Sequence, residues 1–159
     1  MKNKLLPFVA LALFIFSCND VEEPSPNSQI EGVYEYVSEG NMGWGDEIFE
    51  FVELMEFHSD GTLTGESYTT EVGSDVILGY RGYFSGTYVI SEGIVTISYG
   101  KSYHMAVEDI NYLPKEDLVL SENTDFTAEY GITEDYSELE SICSIYAICT
   151  GTTSYMRID

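Results

Sequence analysis

From Ile30 onward, apolar and polar positions alternate in short runs separated by turn residues, the period-two pattern of half-buried strands. Ile30 to Val37 puts Ile30, Gly32, Tyr34 and Tyr36 on one face and Glu31 and Glu35 on the other. Ile48 to Phe57 repeats the pattern, with Phe49, Phe51, Met55 and Phe57 sharing a face. His58-Ser59-Asp60-Gly61-Thr62 predicts a tight turn, because Asp-Gly supplies the positive φ that a hairpin needs. Thr62 to Thr70 then returns. Val76 to Tyr80 and Gly82 to Ile90 are the next runs, followed by a three-residue loop at Ser91-Glu92-Gly93 and a return over Ile94 to Tyr99. Tyr103 to Val107, Leu118 to Leu120 and a last run over Ser154 to Ile158 complete eight or nine strands joined mostly by short turns. That pattern predicts an all-β fold, an antiparallel sandwich or an up-and-down barrel, and closure of the sheet would remove exposed edges.

One segment departs from the alternation. Thr133 to Cys149 carries Leu139, Ile142, Ile145 or Tyr146, and Cys149 near helical spacing. Ser137-x-x-Glu140 has the form of a capping box and Gly151 that of a stop, so a short helix near residues 134–149 is expected across one end of the sheet. The alternative is a strand, since Ile142 to Ile148 is apolar and rich in β-branched residues.

The first residues follow other rules. Met1-Lys2-Asn3-Lys4 is a short cationic start, and Leu5 to Phe16 is uncharged. At about 1.5 Å per residue that run reaches roughly 18 Å as a helix, short of the roughly 30 Å bilayer core. Charge followed by a short apolar run has the order of an export signal. Ile15-Phe16-Ser17-Cys18 resembles a lipobox, with bulky Phe16 as its one departure. The resemblance implies cleavage after residue 17 and diacylglycerol and acyl chains on Cys18, an anchor of more than one chain and therefore a stable one. Asn19-Asp20-Val21-Glu22-Glu23 resembles the acidic tag of Bacteroidota lipoproteins exported to the outer face of the outer membrane; the plainer reading is a soluble tether. Pro24-Ser25-Pro26-Asn27-Ser28 reads as an extended linker. The chain thus divides into a signal peptide (1–17), a lipidated N-terminus with flexible linker (18–29) and one domain (30–159).

Loss of the signal leaves Arg81, Lys101, Lys115 and Arg157 against 28 acidic residues. Nucleic acid is excluded as a partner, because its affinity comes from Lys and Arg neutralising phosphates. Disorder is excluded too, since 13 tyrosines and 8 phenylalanines supply ample surface to bury. With Cys18 acylated, Cys143 and Cys149 remain as an even pair in an oxidising compartment. Their spacing sets Cα atoms about 9–10 Å apart in a helix or about 20 Å in a strand, beyond the roughly 7 Å limit of a disulfide. A bridge between them therefore requires a turn within Ser144 to Ile148.

Gly32-Val33-Tyr34, then Phe57-His58-Ser59-Asp60-Gly61-Thr62, then Gly86-Thr87-Tyr88-Val89-Ile90 leading into Ile94-Val95-Thr96-Ile97, resembles the lipocalin-like lipoproteins of Bacteroidota over roughly residues 30–121. In these a Gly-x-Trp strand precedes an F-x-x-D-G-T hairpin and a G-x-Y strand; here Tyr34 stands where lipocalins have Trp. The resemblance implies a small lipocalin-like barrel of about eight strands with a calyx. It also gives Arg157 the part of an arginine lying over the ring of Tyr34 at the barrel base. Tyr34, Tyr88 and Arg157 are accordingly candidate base or ligand-contact residues. Trp44 joins them because a lone Trp between Gly43 and Gly45 has little reason to be core.

Catalytic and metal signatures are missing from the sequence. His58 falls in a turn and His104 in a strand, and no His-x-x-x-His, zinc-spaced Cys pair or Gly-x-Ser-x-Gly is present. Asp117, Glu122, Asp125 and Glu129 cluster, but without the spacing of an EF-hand, so they read as a solvated acidic loop. The tyrosines either line a pocket or glycan-contact rim, or fill a half-buried sheet. The expectation is a non-enzymatic lipoprotein without cofactor or metal, binding a small apolar or glycan ligand. The rival is a structural or protein-interaction module whose barrel is filled with side chains.

Intact-mass analysis of the processed chain is expected to place its first residue at Cys18, with the mass of the lipid added; Cys18→Ala is expected to abolish both the lipid and the cleavage.

Overall fold

A computed structural model describes residues 24–41, 43, 45–106, 110–122, 126–143 and 151–159. Nine strands lie among them: β1 (Gly32–Gly40), β2 (Phe49–Phe57), β3 (Thr62–Glu71), β4 (Ile77–Ser91), β5 (Ile94–His104), β6 (Val119–Leu120), β7 (Thr127–Ile132), β8 (Glu138–Ser141) and β9 (Ser154–Arg157). Every pairing is antiparallel. The order β4-β3-β2-β1-β9-β8-β7-β5 is closed on itself by β4 against β5, with β6 as an extra strand on β5. The result is a closed eight-stranded barrel: of the sandwich and the barrel that the alternation allowed, the barrel forms, consistent with the lipocalin-like architecture that the resemblance implied.

The hairpins form where the turn chemistry is strongest. Between β2 and β3, the Asp60 carboxylate accepts from the Thr62 amide (2.9 Å) and hydroxyl (2.6 Å). These hydrogen bonds hold its carboxyl below the usual carboxylate range. Between β4 and β5, Ser91 pairs with Ile94, so the loop is the two residues Glu92 and Gly93 and not three. Both have positive φ (53° and 77°), the type I′ geometry whose twist matches the flanking strands. The runs expected at 76–80 and 82–90 are one long strand, bent by register shifts that keep the ladder going past Arg81. Of the run expected at 103–107, Tyr103 and His104 end β5, and residue 107 lies outside the described residues.

The helix expected over 134–149 is not formed across its described part. Thr133 to Tyr136 is a turn closed by the Tyr136 amide on the Thr133 carbonyl (3.0 Å), with Tyr136 at φ 57°. The Asp135 carboxylate accepts from the Ser137 amide (3.1 Å) and hydroxyl (2.7 Å), so Ser137 of the apparent capping box belongs to a hairpin turn, while its Glu140 lies in β8. β8 then pairs with β7 and β9 and buries Leu139 completely. A helix here would leave the edges of β7 and β9 open. Closing the ring outweighs a weak helical period. Residues 144–150 lie outside the described residues.

The lower end of the barrel is closed from below. Pro26–Ile30 forms a one-turn helix, α1, where an extended linker was expected. Ser25 caps it by accepting from the Ser28 amide (3.2 Å), and Pro26 sits in its first turn, where a missing N–H is harmless. Ile30, fully buried, plugs the end. Arg157 ties this plug to the wall: it donates to the carbonyls of Gln29 (2.8 Å) and Glu31 and to the Asp159 carboxylate (2.9 Å). Its guanidinium carbon stands 5.9 Å from the centre of the Tyr34 ring. Gly32 makes room for the arrangement, since a Cβ at its φ of 148° would stand 2.6 Å from Asp159 Oδ1. Above the plug, Tyr34, Phe57 and Tyr88 meet edge to face at 5.5 and 5.0 Å, and Leu63, Val95, Ile97 and Leu139 fill the remaining space.

Arg157→Ala is expected to cost about 2 kcal/mol of unfolding free energy in a urea titration, from a lost cation–π contact and two carbonyls left without their donor. Arg157→Lys is expected to recover less than half, because a point-like ammonium does not span both carbonyls and the carboxylate.

Candidate functional site

The lower half of the barrel is solid; the upper half is not. A cavity of about 190 Å³ is lined by Glu53, Met55, Ser67, Phe84, Tyr99, Ser102, Tyr130 and Tyr155, with neighbouring wall residues. Its aromatic walls are close-packed: Phe84 and Tyr99 lie 4.6 Å apart between ring centres, Tyr130 and Tyr155 5.7 Å. Phe126, more than half exposed, lies 5.2 Å from Tyr99. Gly65 admits the Phe84 ring, which passes where its Cβ would be.

A line of hydroxyls runs along this wall. Tyr155 donates to a Glu53 carboxylate oxygen at 2.6 Å. The Tyr130 ring meets that of Tyr155 nearly at right angles, at 85°. Burial pushes the phenols of Tyr99, Tyr130 and Tyr155 up, and the Glu53 charge adds to the rise at each. Arg81 belongs to the same end of the barrel, its guanidinium carbon 4.4 Å from the centre of the Phe51 ring. Burial pushes it down, and the attraction of Glu53 opposes that.

Of the residues singled out from sequence, Tyr34, Tyr88 and Arg157 meet at the base and do not line the cavity. Tyr34 donates to the Tyr136 carbonyl (2.8 Å) and Tyr88 to the His58 carbonyl (2.7 Å), so both are structural. Trp44 lies outside the described residues. Beside it, Asn41 bridges the loop by donating to the Gly45 carbonyl (2.8 Å) and accepting from the Gly43 amide (2.9 Å). Cys143 is disulfide-bonded, and Cys18 and Cys149 lie outside the described residues. Asp125 of the acidic cluster lies outside as well; among the described residues no group of three or more His, Cys, Asp or Glu is placed to hold a metal ion. No helix of the described residues is long and apolar enough to cross a membrane.

The tyrosines divide between the two expected roles. Tyr83, Tyr99, Tyr103, Tyr130 and Tyr155 line the cavity; of these, Tyr83 and Tyr103 stack at 4.4 Å and 13° beside Lys115, whose ammonium lies over Tyr80 and Tyr83 and pairs with Glu66, another lining residue. Glu53 was the site residue that pattern reading passed over. The signal was present: it is the one charged position in the apolar series Phe49, Phe51, Met55, Phe57.

No family model, no curated protein and no solved structure matches this chain.

The buried phenols make the fold sensitive to base. Tyr88 is pushed up to about 12 from 10.0, chiefly by burial. A folded-state value above the unfolded one means that ionisation favours the unfolded chain, so stability is intact below pH 10 and falls as pH rises through that window. Alkaline titration is expected to show the tyrosinate absorbance of the buried phenols appearing together with loss of the β circular-dichroism signal. Tyrosinate appearing in a barrel that stays folded would contradict it.

Proposed function

We propose that this chain is a lipid-anchored, non-catalytic binding module of the lipocalin-like lipoprotein type. On this reading Cys18 fastens the domain to the outer membrane, facing the cell exterior, and the upper barrel holds one small molecule. The observation that carries the proposal is the cavity of about 190 Å³ in a closed barrel, walled by aromatic rings and the carboxylates of Glu53 and Glu66. An apolar cavity of about 150 Å³ takes a benzene molecule. A compact ligand with one ring therefore suits the space better than a glycan of several sugars. Polar side chains such as Glu53, Ser67 and Ser102 stand among the aromatic rings of the lining and would orient a ligand in a small site. The anchor reading rests on the lipobox-like Ile15-Phe16-Ser17-Cys18 and the acidic residues behind it.

The second reading is an accessory lipoprotein whose barrel serves as a rigid body for protein contacts. The solid lower half favours it, since eight-stranded barrels are found either filled or holding one ligand. Native mass spectrometry of protein purified from its own host separates the two. A discrete bound mass of single-ring size, lost on denaturation, is the expected result. Protein that emerges bare, and whose melting temperature no small aromatic compound raises, would leave the accessory reading standing.

A further inference from the structure

We infer that the barrel stands base-down on its membrane, so that the cavity takes a water-soluble guest from the aqueous phase and not a lipid from the bilayer. The inference rests on the lipid-anchored calyx reading and follows from where the chain enters the barrel. α1 is fixed at the closed end: Ile30 plugs it, Arg157 donates to the Gln29 and Glu31 carbonyls, and Gln29 donates back to the Pro24 carbonyl (2.8 Å). Asn27 lies against the turn between β2 and β3, its Nδ2 3.7 Å from where Gly61 would carry a Cβ. The turns of two further hairpins gather at the same end. There the Ile132 amide donates to the Gly93 carbonyl (2.8 Å), and Tyr34 reaches the Tyr136 carbonyl. Pro24 is therefore held beside the base turns, six peptide bonds from Cys18.

Reach decides which end faces the lipid. Six residues extend to about 20 Å at most. The nine residues of β1, from Gly32 at the base to Gly40, rise roughly 20 Å along the barrel axis at the usual strand tilt, and the loop between β1 and β2 lies beyond them. To lay the upper end on the bilayer, the tether would run fully stretched along the whole wall and still fall short of that loop. Base-down, it keeps the conformational freedom that full extension removes. Charge does not reverse the choice, because carboxylates stand at both ends: Asp60, Glu92 and Asp135 in the base turns, Glu39, Glu50 and Glu71 near the upper loops. Ile30 and the layer of Tyr34, Phe57 and Tyr88 seal the cavity on the anchored side. Its volume of about 190 Å³ suits one ring and not a two-chain lipid.

The test uses the acylated chain extracted from its own membrane and reconstituted into phosphatidylcholine vesicles that carry a dansyl-labelled headgroup. Trp44, the one tryptophan of the sequence, belongs to the loop between β1 and β2 and reports the upper end. Trp44→Phe with Ser59→Trp reports the base from the turn between β2 and β3. Trp44→Phe with Glu134→Trp reports it from the turn between β7 and β8, and either variant suffices should the other fail to fold. Energy transfer from the base positions is expected to exceed that from Trp44 at least about twofold, given roughly 20 Å between the ends. Native mass spectrometry of the extracted chain is expected to show no phospholipid or fatty acid beyond the covalent anchor. Equal or stronger transfer from Trp44, or a lipid released from the fold on denaturation, overturns the inference and leaves the anchor standing. A chain that carries no lipid on Cys18 and does not float with the vesicles overturns both.

Discussion

The ladder between β1 and β9 has two residue pairs, Tyr34 with Arg157 and Glu35 with Met156, extended by the Ile158 amide on the Val33 carbonyl (3.0 Å). Through this short seam, eight strands become a ring. Two backbone pairs contribute little on their own, so the seam is reinforced by side chains crossing it. Arg157 ties it to α1, Tyr34 reaches the Tyr136 carbonyl, and Tyr155 on β9 reaches Glu53 on β2. Each of these joins residues more than a hundred positions apart. The constraint has a thermodynamic consequence: the contacts that close the barrel also order its two ends in sequence, and they form together or not at all.

The interior is graded from apolar to polar along its axis. At the base, rings pack edge to face and hydroxyls are spent on backbone carbonyls, which satisfies buried polar groups without opening space. Higher up, Tyr155 donates to the Glu53 carboxylate, the rings of Tyr99 and Tyr130 stand beside that pair, and the space next to them is left unfilled. A carboxylate facing a barrel interior is tolerated where it has such a partner.

Charge separates the outside from the inside. Most of the 28 carboxylates have nothing to do with the cavity and keep the outer surface solvated. Three of the domain's four cations have specific aromatic partners: Arg157 over Tyr34, Arg81 over Phe51, Lys115 over Tyr80 and Tyr83. A chain with so few positive charges places them where ring faces give them an additional contact.

Alternation along β1 to β5 and the turn residues around Asp60-Gly61 and Ser91-Glu92-Gly93 sufficed, from sequence, to specify an antiparallel β fold and the place of these hairpins, though not that the second loop is only two residues long, because a period of two and a positive φ are local properties. The base residues Tyr34, Tyr88 and Arg157 were legible as well, through a local motif and a family resemblance. What sequence left open was everything decided by partners far away. β7 and β8 are short and interrupted by Gly131 and polar residues, and β8 carries a helical spacing; each is a strand because the ring between β5 and β9 has to be completed. Glu53 reads as a defect in an apolar face until Tyr155, from the other end of the chain, is set 2.6 Å away. Local backbone preference is encoded in neighbouring residues, whereas the contact of Tyr155 with Glu53 and the cavity beside it exist only after closure has brought β2, β5, β7 and β9 around one axis.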